Sequence, residues 1–533
     1  MTATSTARER VVVVGAGHNG LVAACYLARA GLDVEVVERD TVVGGAVSTV
    51  ERFPGYRMDR GSSAHIMVRH TGIVEDLDLP ACGLEYQDLD PWGFYPTDDG
   101  RDITFYVDLD RTCASIEAVC GSRDADAYRA FVGDWSARNV KVFDAFQGAP
   151  TPAHLGRTLW GVGRSTGLSG MELSRQFLAP ADSLLDEHFE DERLKAALAW
   201  MGAQSGPPTS EVATADLVGW NTVMHLLPPG HPRGGSGALS EALQRRLESL
   251  GGRVRLGDGA KELVVGADGR LRGVLTESGE RLAAEAVVAA CHVLTTLDLL
   301  GEDVPPSVQR ARRHVRTGNG IGMVVRLATR DLPRYPSATE ESYRAMQLLT
   351  PSRAALRRAH GEYAAGLPPT EPAALAMTFS AFDDTIAPAG RHNVTVWGQW
   401  HPYALSNGER WDDIREREGD KLVAAVDRAA PGFAGAVEHV HVQTPLDLER
   451  ELGLRSGQVM HVEMSFDQMF MWRPAPGLAG YRVPGVAGLY LCGASTHPGG
   501  GVFGASGRSV ARVVLADRSP SLLSRATRRL RRG

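Results

Sequence analysis

Residues 11–49 read VVVVGAGHNGLVAACYLARAGLDVEVVERDTVVGGAVST, and this stretch decides the fold. Four consecutive valines predict a buried parallel strand, and an Ala- and Leu-rich helix is predicted to follow and to end at Gly31. Gly15, Gly17 and Gly20 stand between the two elements in G-x-G-x-x-G spacing. Such glycines permit a tight turn, the approach of a pyrophosphate to the backbone, and close packing of the helix. The pattern predicts a dinucleotide-binding unit.

A carboxylate and a second pair of glycines narrow the choice of cofactor. Residues Asp33 to Glu38 predict a second strand that ends in an acid. A carboxylate at Glu38 accepts hydrogen bonds from ribose hydroxyls and repels a 2′-phosphate, which argues against NADP. Gly44 and Gly45 follow and predict a second backbone concavity beside the pyrophosphate, a feature that NAD does not require. The alternative for this pair is a simple glycine turn.

With these motifs the chain resembles the FAD-dependent phytoene desaturase and amine oxidase superfamily, in which the E-x5-GG extension marks FAD. The resemblance implies cofactor contacts by Gly15, Gly17, His18, Asn19, Gly20, Glu38, Arg39, Gly44, Gly45 and Ala46. Residues 53–67, FPGYRMDRGSSAHIM, resemble the segment that leads to the flavin. Ser62 and Ser63 are expected to hydrogen-bond the cofactor there, and a surface loop is the alternative.

The composition is that of a globular enzyme. The chain has 533 residues, 43% of them hydrophobic and 23% charged, with a formal charge of −7. Two or three domains with a large core are expected, and nothing favours a nucleic-acid partner. The six cysteines form no C-x-x-C pair, which predicts reduced thiols and no metal site. A polar N-terminus and the lack of a membrane-length apolar run predict a cytoplasmic location.

The second informative block lies near the C-terminus. Leu489 to Cys492 predict a short buried strand, and PGGGVFGASG predicts the entry to a helix whose N–H groups can meet an anion. The segments HVEMSFDQMFMWRP, GLYLCG and HPGGGVFG closely resemble the pyridine nucleotide-disulfide oxidoreductase domain 2-like branch of the superfamily. This resemblance implies that the ribityl-pyrophosphate and the flavin meet Gly493, Ala494, Val502, Phe503 and Gly504, and that Ala260 lies near the adenine.

The domain organisation follows from the same resemblance. A predicted helix, ALSEALQRRLESLGG, and the strands after it are expected to return to the cofactor domain. The predicted fold class is α/β: a Rossmann-type FAD-binding domain assembled from discontinuous segments, with an α+β substrate or cap domain. The expected segments are 1–75, 228–300 and 456–517 for the first and 76–227 and 301–455 for the second.

The tail, residues 518–533, carries six arginines and no acidic residue. One hypothesis is a basic amphipathic helix that makes peripheral contact with an anionic membrane. The alternative is a frayed, soluble terminus.

The resemblance also implies the class of reaction, because FAD performs the redox chemistry once the protein has positioned the substrate. We expect a dehydrogenase that removes hydride from an apolar organic substrate to form a double bond, with O2 or a quinone as acceptor. The alternatives are a redox-neutral flavin isomerase, an amine oxidase and a non-catalytic FAD-binding scaffold. They differ in whether the flavin is reduced, and in the product.

Few side chains are candidates for a chemical role. His497 is the main candidate, either as an acid or base near neutral pH or as a residue that holds its loop by a hydrogen bond. His65 and His461 are weaker candidates. Arg473 is expected either to brace the fold by an ion pair or to bind an acidic substrate.

Overall fold

The structure is a computed structural model, and it describes residues 9–148, 150–167, 170–318 and 321–518. The strands are β1 (Arg10–Val14), β2 (Asp33–Val37), β3 (Thr49–Phe53), β4 (Tyr56–Asp59), β5 (Tyr86–Asp88), β6 (Gly93–Pro96), β7 (Asp102–Phe105), β8 (Gly230–Pro232), β9 (Arg253–Arg255), β10 (Ala260–Val265), β11 (Leu271–Thr276), β12 (Arg281–Ala283), β13 (Ala286–Ala289), β14 (Gly322–Thr329), β15 (Met346–Leu349), β16 (Ala374–Met377), β17 (His392–Gln399), β18 (Val437–Gln443) and β19 (Leu489–Leu491).

The helices connect and cover these strands. They are α1 (His18–Arg29), α2 (Ile73–Asp76), α3 (Leu109–Cys120), α4 (Ser122–Gln147), α5 (Pro152–Thr166), α6 (Gly170–Leu178), α7 (Ala181–His188), α8 (Glu192–Ala203), α9 (Ala215–Gly219), α10 (Gly237–Ser249), α11 (Val293–Leu300), α12 (Pro306–Ala311), α13 (Arg353–Ala364), α14 (Trp411–Ala429), α15 (Pro445–Leu452) and α16 (Ala505–Arg518). Short 3₁₀ helices, among them Met67–His70 and Phe470–Trp472, lie in the connections.

A parallel five-stranded sheet contains the first strand of the chain. Its order is β19-β13-β1-β2-β9, and every neighbouring pair is parallel. The strands come from three separated parts of the chain, around residues 10–37, 253–289 and 489–491. This arrangement confirms the predicted Rossmann-type domain assembled from discontinuous segments.

Both faces of this sheet are covered. Val11 and Val13 point towards a core shared with α1, α10 and α16, whereas Val12 and Val14 point towards a core shared with α11 and the antiparallel sheet β10-β11-β12. A strand buried on both faces needs apolar side chains at every position. The run of four valines therefore reflects the three-layer packing.

The second large sheet has seven strands in the order β18-β14-β17-β16-β15-β6-β7. Only the pair β15 and β6 is parallel. Helix α14 covers one face, and α3, α4, α7 and α8 form a large apolar core with the end that contains β6 and β7. All seven strands come from residues 76–227 and 301–455, the predicted substrate or cap segments, whose exact boundaries stay predictions.

One strand of the structure is not predicted from the sequence, and the predicted basic tail lies outside the described residues. Gly230–Pro232 form β8, a short strand that the sequence analysis does not predict and that pairs with β5. The tail beyond residue 518 lies outside the described residues, so its membrane contact stays a prediction.

Of the helices that the structure describes, none is long and apolar enough to span a bilayer. All six cysteines are free thiols.

Candidate functional site

The glycine turn between β1 and α1 leaves an opening on one side and is tightly packed on the other. A Cβ atom at Gly20 would lie 2.3 Å from the carbonyl oxygen of Gly15, so only glycine allows this close packing. A Cβ atom at Gly17 would meet nothing closer than 4.0 Å, because this residue faces open space. No side chain of the described residues caps the N-terminus of α1, so its N–H groups and partial positive charge suit an anion.

Glu38 joins the end of β2 to this turn. Its Oε2 accepts a hydrogen bond from the backbone N–H of Ala16 at 2.7 Å, and its Oε1 accepts one from Asp40 at 2.9 Å. The carboxylate is thereby fixed beside the opening, with acceptor capacity left for ribose hydroxyls. The backbone of Asp258 donates to the Glu38 carbonyl at 3.0 Å, which brings the start of β10 to the same corner.

Arg39 and Ala260 lie at that corner. A Cβ atom at Gly259 would be 2.7 Å from the Cβ of Arg39, so the residue before Ala260 touches the stem of this arginine. Arg39 is exposed, and Ala260 begins β10. The structure therefore brings Arg39, which the resemblance assigns to the cofactor, and Ala260, which it assigns to the adenine, next to Glu38.

The second glycine pair lies beside the first turn, at the edge of the same opening. The backbone N–H of Gly44 donates to the carbonyl of Ala16 at 2.8 Å. A Cβ atom at Gly45 would approach the Cα of Gly17 at 3.9 Å and no other atom more closely. The two glycine turns thus lie in contact with each other, and a larger side chain on either would enter the open space beside them. This cradle fits a pyrophosphate bound by backbone groups.

The predicted flavin-side serines follow the same edge. The N–H of Ser62 donates to the carbonyl of Ala46 at 2.8 Å. Ser63 is only 5% exposed, and its Oγ has no hydrogen-bond partner within the described chain. Buried polar atoms are normally paired, so this hydroxyl is available to a ligand.

The C-terminal block packs against the start of α1. A Cβ atom at Gly493 would lie 2.9 Å from the carbonyl oxygen of Ala290, and one at Gly507 would lie 2.2 Å from that of Asn19. The Cys492 thiol donates to the Asn19 carbonyl at 3.6 Å. Strand β19 and helix α16 therefore complete the cleft that β1 and α1 begin.

His18 and Asn19 are the first residues of α1. The Asn19 Nδ2 and the His18 Nε2 are 3.0 Å apart, and the buried Oδ1 of Asn19 has no partner in the described part of the chain. Burial lowers the pKa of His18 to about 4, so the imidazole is neutral near pH 7. Both side chains offer neutral polar groups at the N-terminus of the helix.

The loop before α16 has an unusual backbone. Val502 has φ +59°, a left-handed conformation that a β-branched residue rarely adopts, and Gly504 has φ +70°. Phe503 is buried, with its ring centroid 5.8 Å from that of Phe146. The surrounding packing holds these three residues, which the resemblance assigns to the flavin, in a fixed shape.

These residues fit a dinucleotide cofactor, and comparison with known proteins agrees. The sequence profile of the NAD(P)-binding Rossmann-like domain matches residues 13–77. The chain is 32% identical to the rat pyridine nucleotide-disulfide oxidoreductase domain-containing protein 2, over 95% of this chain and 93% of that protein. The chain belongs to the pyridine nucleotide-disulfide oxidoreductase domain-containing protein 2 family.

Wider comparisons place this family beside desaturases and flavoprotein oxidases. The chain is 27% identical to a phytoene dehydrogenase from Streptomyces griseus, over 93% of this chain and 92% of that one. A redesigned putrescine oxidase superposes with a TM-score of 0.60 at 14% identity, over 96% of this chain and 99% of that chain, which shows the shared fold. The predicted superfamily is confirmed, and the protein is an oxidoreductase with a flavin-type cofactor site.

In this member of the pyridine nucleotide-disulfide oxidoreductase domain-containing protein 2 family, His497 is wholly buried. Its Nε2 lies 3.1 Å from the carbonyl oxygen of Ala145, and its own carbonyl accepts a hydrogen bond from Tyr481 at 3.0 Å. Burial lowers the pKa of His497 to about 4. These facts favour the loop-holding role over acid or base chemistry near neutral pH.

Arg473 differs from both roles that the sequence suggests. It is wholly buried, and it donates to backbone carbonyls, including those of Met460 and Ala494 at 2.7 Å each. Among the described residues no carboxylate pairs with it, so the predicted ion pair is wrong. Its guanidinium is also enclosed by backbone, which leaves no donor for an acidic substrate.

A buried histidine and aspartate were missed by the sequence interpretation. His231 Nε2 lies 2.9 Å from Asp383 Oδ2, and both residues are wholly buried. The other ring nitrogen of His231 has no partner among the described residues, and His231 lines a small cavity together with Asp59 and Ser63. The 152 positions between the two residues leave no sequence signal for the pair.

Of the weaker histidine candidates, His65 pairs both ring nitrogens, whereas the buried Nδ1 of His461 has no partner among the described residues. His65 is wholly buried, with its ring nitrogens 2.8 Å from Tyr86 Oη and from Ser236 Oγ. The His461 carbonyl accepts a hydrogen bond from His292 at 2.8 Å, and the two rings stack. Burial lowers the pKa of both His65 and His461 well below the usual value. In the residues described, no group of three His, Cys, Asp or Glu side chains is arranged to hold a metal ion.

Proposed function

We propose that this chain is an FAD-dependent dehydrogenase that removes hydride from an apolar organic substrate to form a double bond, and that the electrons pass to O2 or a quinone. The open space beside Gly17 and Gly45 carries the proposal, because the backbone of both glycine motifs faces it and no side chain of the described residues fills it. Glu38 would hold the adenosine ribose, and Ser63 would meet the flavin side. When bound, FAD supplies the acceptor for the hydride.

An apolar substrate fits the side chains around the loop that precedes α16. The ring of Phe146 stacks on that of Phe470 at 5.5 Å and lies 5.8 Å from that of Phe503. Cβ atoms at Gly500 and Gly501 would meet the side chains of Met460 and Met67. Aromatic and methionine side chains bury apolar molecules favourably.

The relatives support the same chemistry. A phytoene dehydrogenase is similar over nearly the whole chain, and a putrescine oxidase shares the fold. Burial lowers the pKa of His497 to about 4, so near pH 7 it is neutral, holds no proton to donate as an acid and is only a weak base. This suits a reaction in which the flavin removes a hydride without help from this side chain.

The test is the visible spectrum of the purified protein before and after anaerobic addition of polyenes, amines and alcohols. We expect a flavin spectrum that a polyene bleaches, with a product that has lost two hydrogens. Gly17→Val should abolish flavin binding by filling the cradle, whereas Gly361→Ala, at a helical position where a Cβ meets nothing, should not.

Other outcomes would support the competing functions. A product with the mass of its substrate would indicate an isomerase, and peroxide released from an amine would indicate an amine oxidase. A flavin that no compound bleaches would favour a scaffold.

A further inference from the structure

Arg473 places a positive charge inside the protein, and no carboxylate among the described residues pairs with it. The side chain is wholly buried. Its N–H groups donate to the carbonyl oxygens of Met460 (2.7 Å), Val462 (3.2 Å), Glu463 (2.9 Å), Gln468 (3.2 Å) and Ala494 (2.7 and 3.3 Å). Neutral carbonyls satisfy the hydrogen bonds of the guanidinium, but they do not neutralise its charge.

This arrangement is costly for the fold, because a buried charge without an opposite charge is destabilised by desolvation. All three guanidinium nitrogens, and so all five N–H groups, are directed at carbonyls. Arg473 therefore has no donor left with which to touch a ligand. What it offers to a ligand is the electric field of its charge, which is little screened in a buried site.

The charge lies next to the loop that the resemblance assigns to the cofactor. Arg473 holds the carbonyl of Ala494, and a Cβ atom at Gly499 would be 3.3 Å from its Cζ. The field reaches side chains around the cleft as well. Burial is the main cause of the lowered pKa values of His461 and His497, and the positive charge of Arg473 lowers both further.

We propose that Arg473 acts through its field to stabilise negative charge on the reduced flavin held by the loop 493–504. The inference rests on the proposed function, because it requires a bound flavin. Oxidation of the substrate moves a hydride, which is one proton and two electrons, onto the flavin and so adds one negative charge to it, while the second hydrogen of the new double bond leaves the substrate as a proton to water. A fixed positive charge nearby favours that product. By holding Ala494, Arg473 is also a positioning residue for the loop.

The test is the midpoint potential of the bound flavin in the full-length protein, measured by equilibration with a redox dye. Arg473→Met removes the charge, and we expect the equilibrium constant for flavin reduction to fall at least tenfold, which corresponds to a potential lower by about 30 mV for a two-electron couple. Arg473→Lys keeps the charge and should retain most of the potential.

A matched control binds the same segment. Arg316 pairs with Glu463 and Asp467 at 2.7 Å each, and its side chain is 44% exposed, so water screens its charge. Arg316→Gln should therefore change the potential much less than Arg473→Met does. An equal fall in Arg316→Gln and Arg473→Met would overturn the inference, since it would show a general loosening of the segment.

The wild-type protein gives a test that needs no variant. We expect its bound flavin to have a higher midpoint potential than free FAD at the same pH. A midpoint potential at or below that of free FAD would overturn the inference, and this result does not depend on whether Arg473→Met folds. Wild-type protein without flavin would defeat the proposed function itself. Wild-type protein with flavin, and with a potential that Arg473→Met leaves unchanged, would defeat only the role of Arg473.

Discussion

The carboxylate of Glu38 accepts a hydrogen bond from the backbone N–H of Ala16 at a distance of 2.7 Å. The acid at the end of β2 and the glycine turn at the end of β1 therefore form one structural unit. A second bond, from the N–H of Asp40, fixes the other carboxylate oxygen at 2.9 Å. Both oxygens are needed as acceptors, because two backbone donors point at them.

The first prediction concerns this unit. In Glu38→Gln the amide NH2 group faces a backbone donor, so one hydrogen bond to a charged acceptor is lost, at a cost of about 1.5–3 kcal/mol. We expect the flavin dissociation constant to rise at least tenfold, measured by the recovery of flavin fluorescence. Glu248→Gln, on the exposed side of α10, should have no effect. Unchanged flavin binding in Glu38→Gln would remove this carboxylate from the cofactor site.

The second prediction separates the roles of two glycines. In Gly17→Ala the new methyl enters open space, so we expect flavin binding to weaken while the Tm of the apoprotein stays the same. In Gly20→Ala the methyl meets the Gly15 oxygen at 2.3 Å, and overpacking should cost roughly 1–3 kcal/mol and lower the Tm. If both variants lose the same stability, Gly17 does not face a ligand cavity.

The third prediction is a pH dependence. The pKa of His497 is about 4 in the folded protein, against about 6.5 in an unfolded chain. The stabilisation that comes from burying the neutral His497 is complete above pH 6.5. It is lost as the pH falls towards 4, because the unfolded chain binds the proton at a higher pH than the folded protein does. Between pH 7.5 and 5 the loss is about 2 kcal/mol.

His497→Gln does not titrate, so it should lose about 2 kcal/mol less stability than the wild type over the same change of pH. The measurement is urea unfolding of both proteins at pH 7.5 and 5. The lost contact with Ala145 lowers the stability of the variant at both pH values and cancels in the difference. Equal losses in the two proteins would show that His497 has an ordinary pKa.

The fourth prediction concerns the buried pair of His231 and Asp383. Burial would raise the pKa of Asp383, but hydrogen bonds from His231 and Thr385 hold it well below its usual range. Asp383→Asn should cost about 3–5 kcal/mol and lower the Tm by several degrees, because donors then face an amide that is not charged. Asp384→Asn is the control, since its exposed carboxylate bonds only Arg233 among the described residues. An unchanged Tm in Asp383→Asn would show that the pair adds no stability.

Much of the cofactor unit is predictable because its signals are local. The valines of β1, the glycine spacing, the acid after β2 and the glycine-rich entry to α16 each specify a backbone conformation within a few residues. The corresponding elements are present in the structure, and the family comparison confirms the fold that they predicted.

The remaining features depend on residues that only the tertiary structure brings together. The sequence singled out Arg473 but not its acceptors, because backbone carbonyls carry no sequence signal. It therefore suggested an ion pair or an acidic substrate where the fold uses the carbonyls of Met460 and Ala494. The pair of His231 and Asp383 joins β8 to the segment after β16. The sequence by itself determined the cofactor unit, since backbone geometry is local. Tertiary structure decided which polar groups are buried, paired or left for a ligand, since burial depends on contacts between distant parts of the chain.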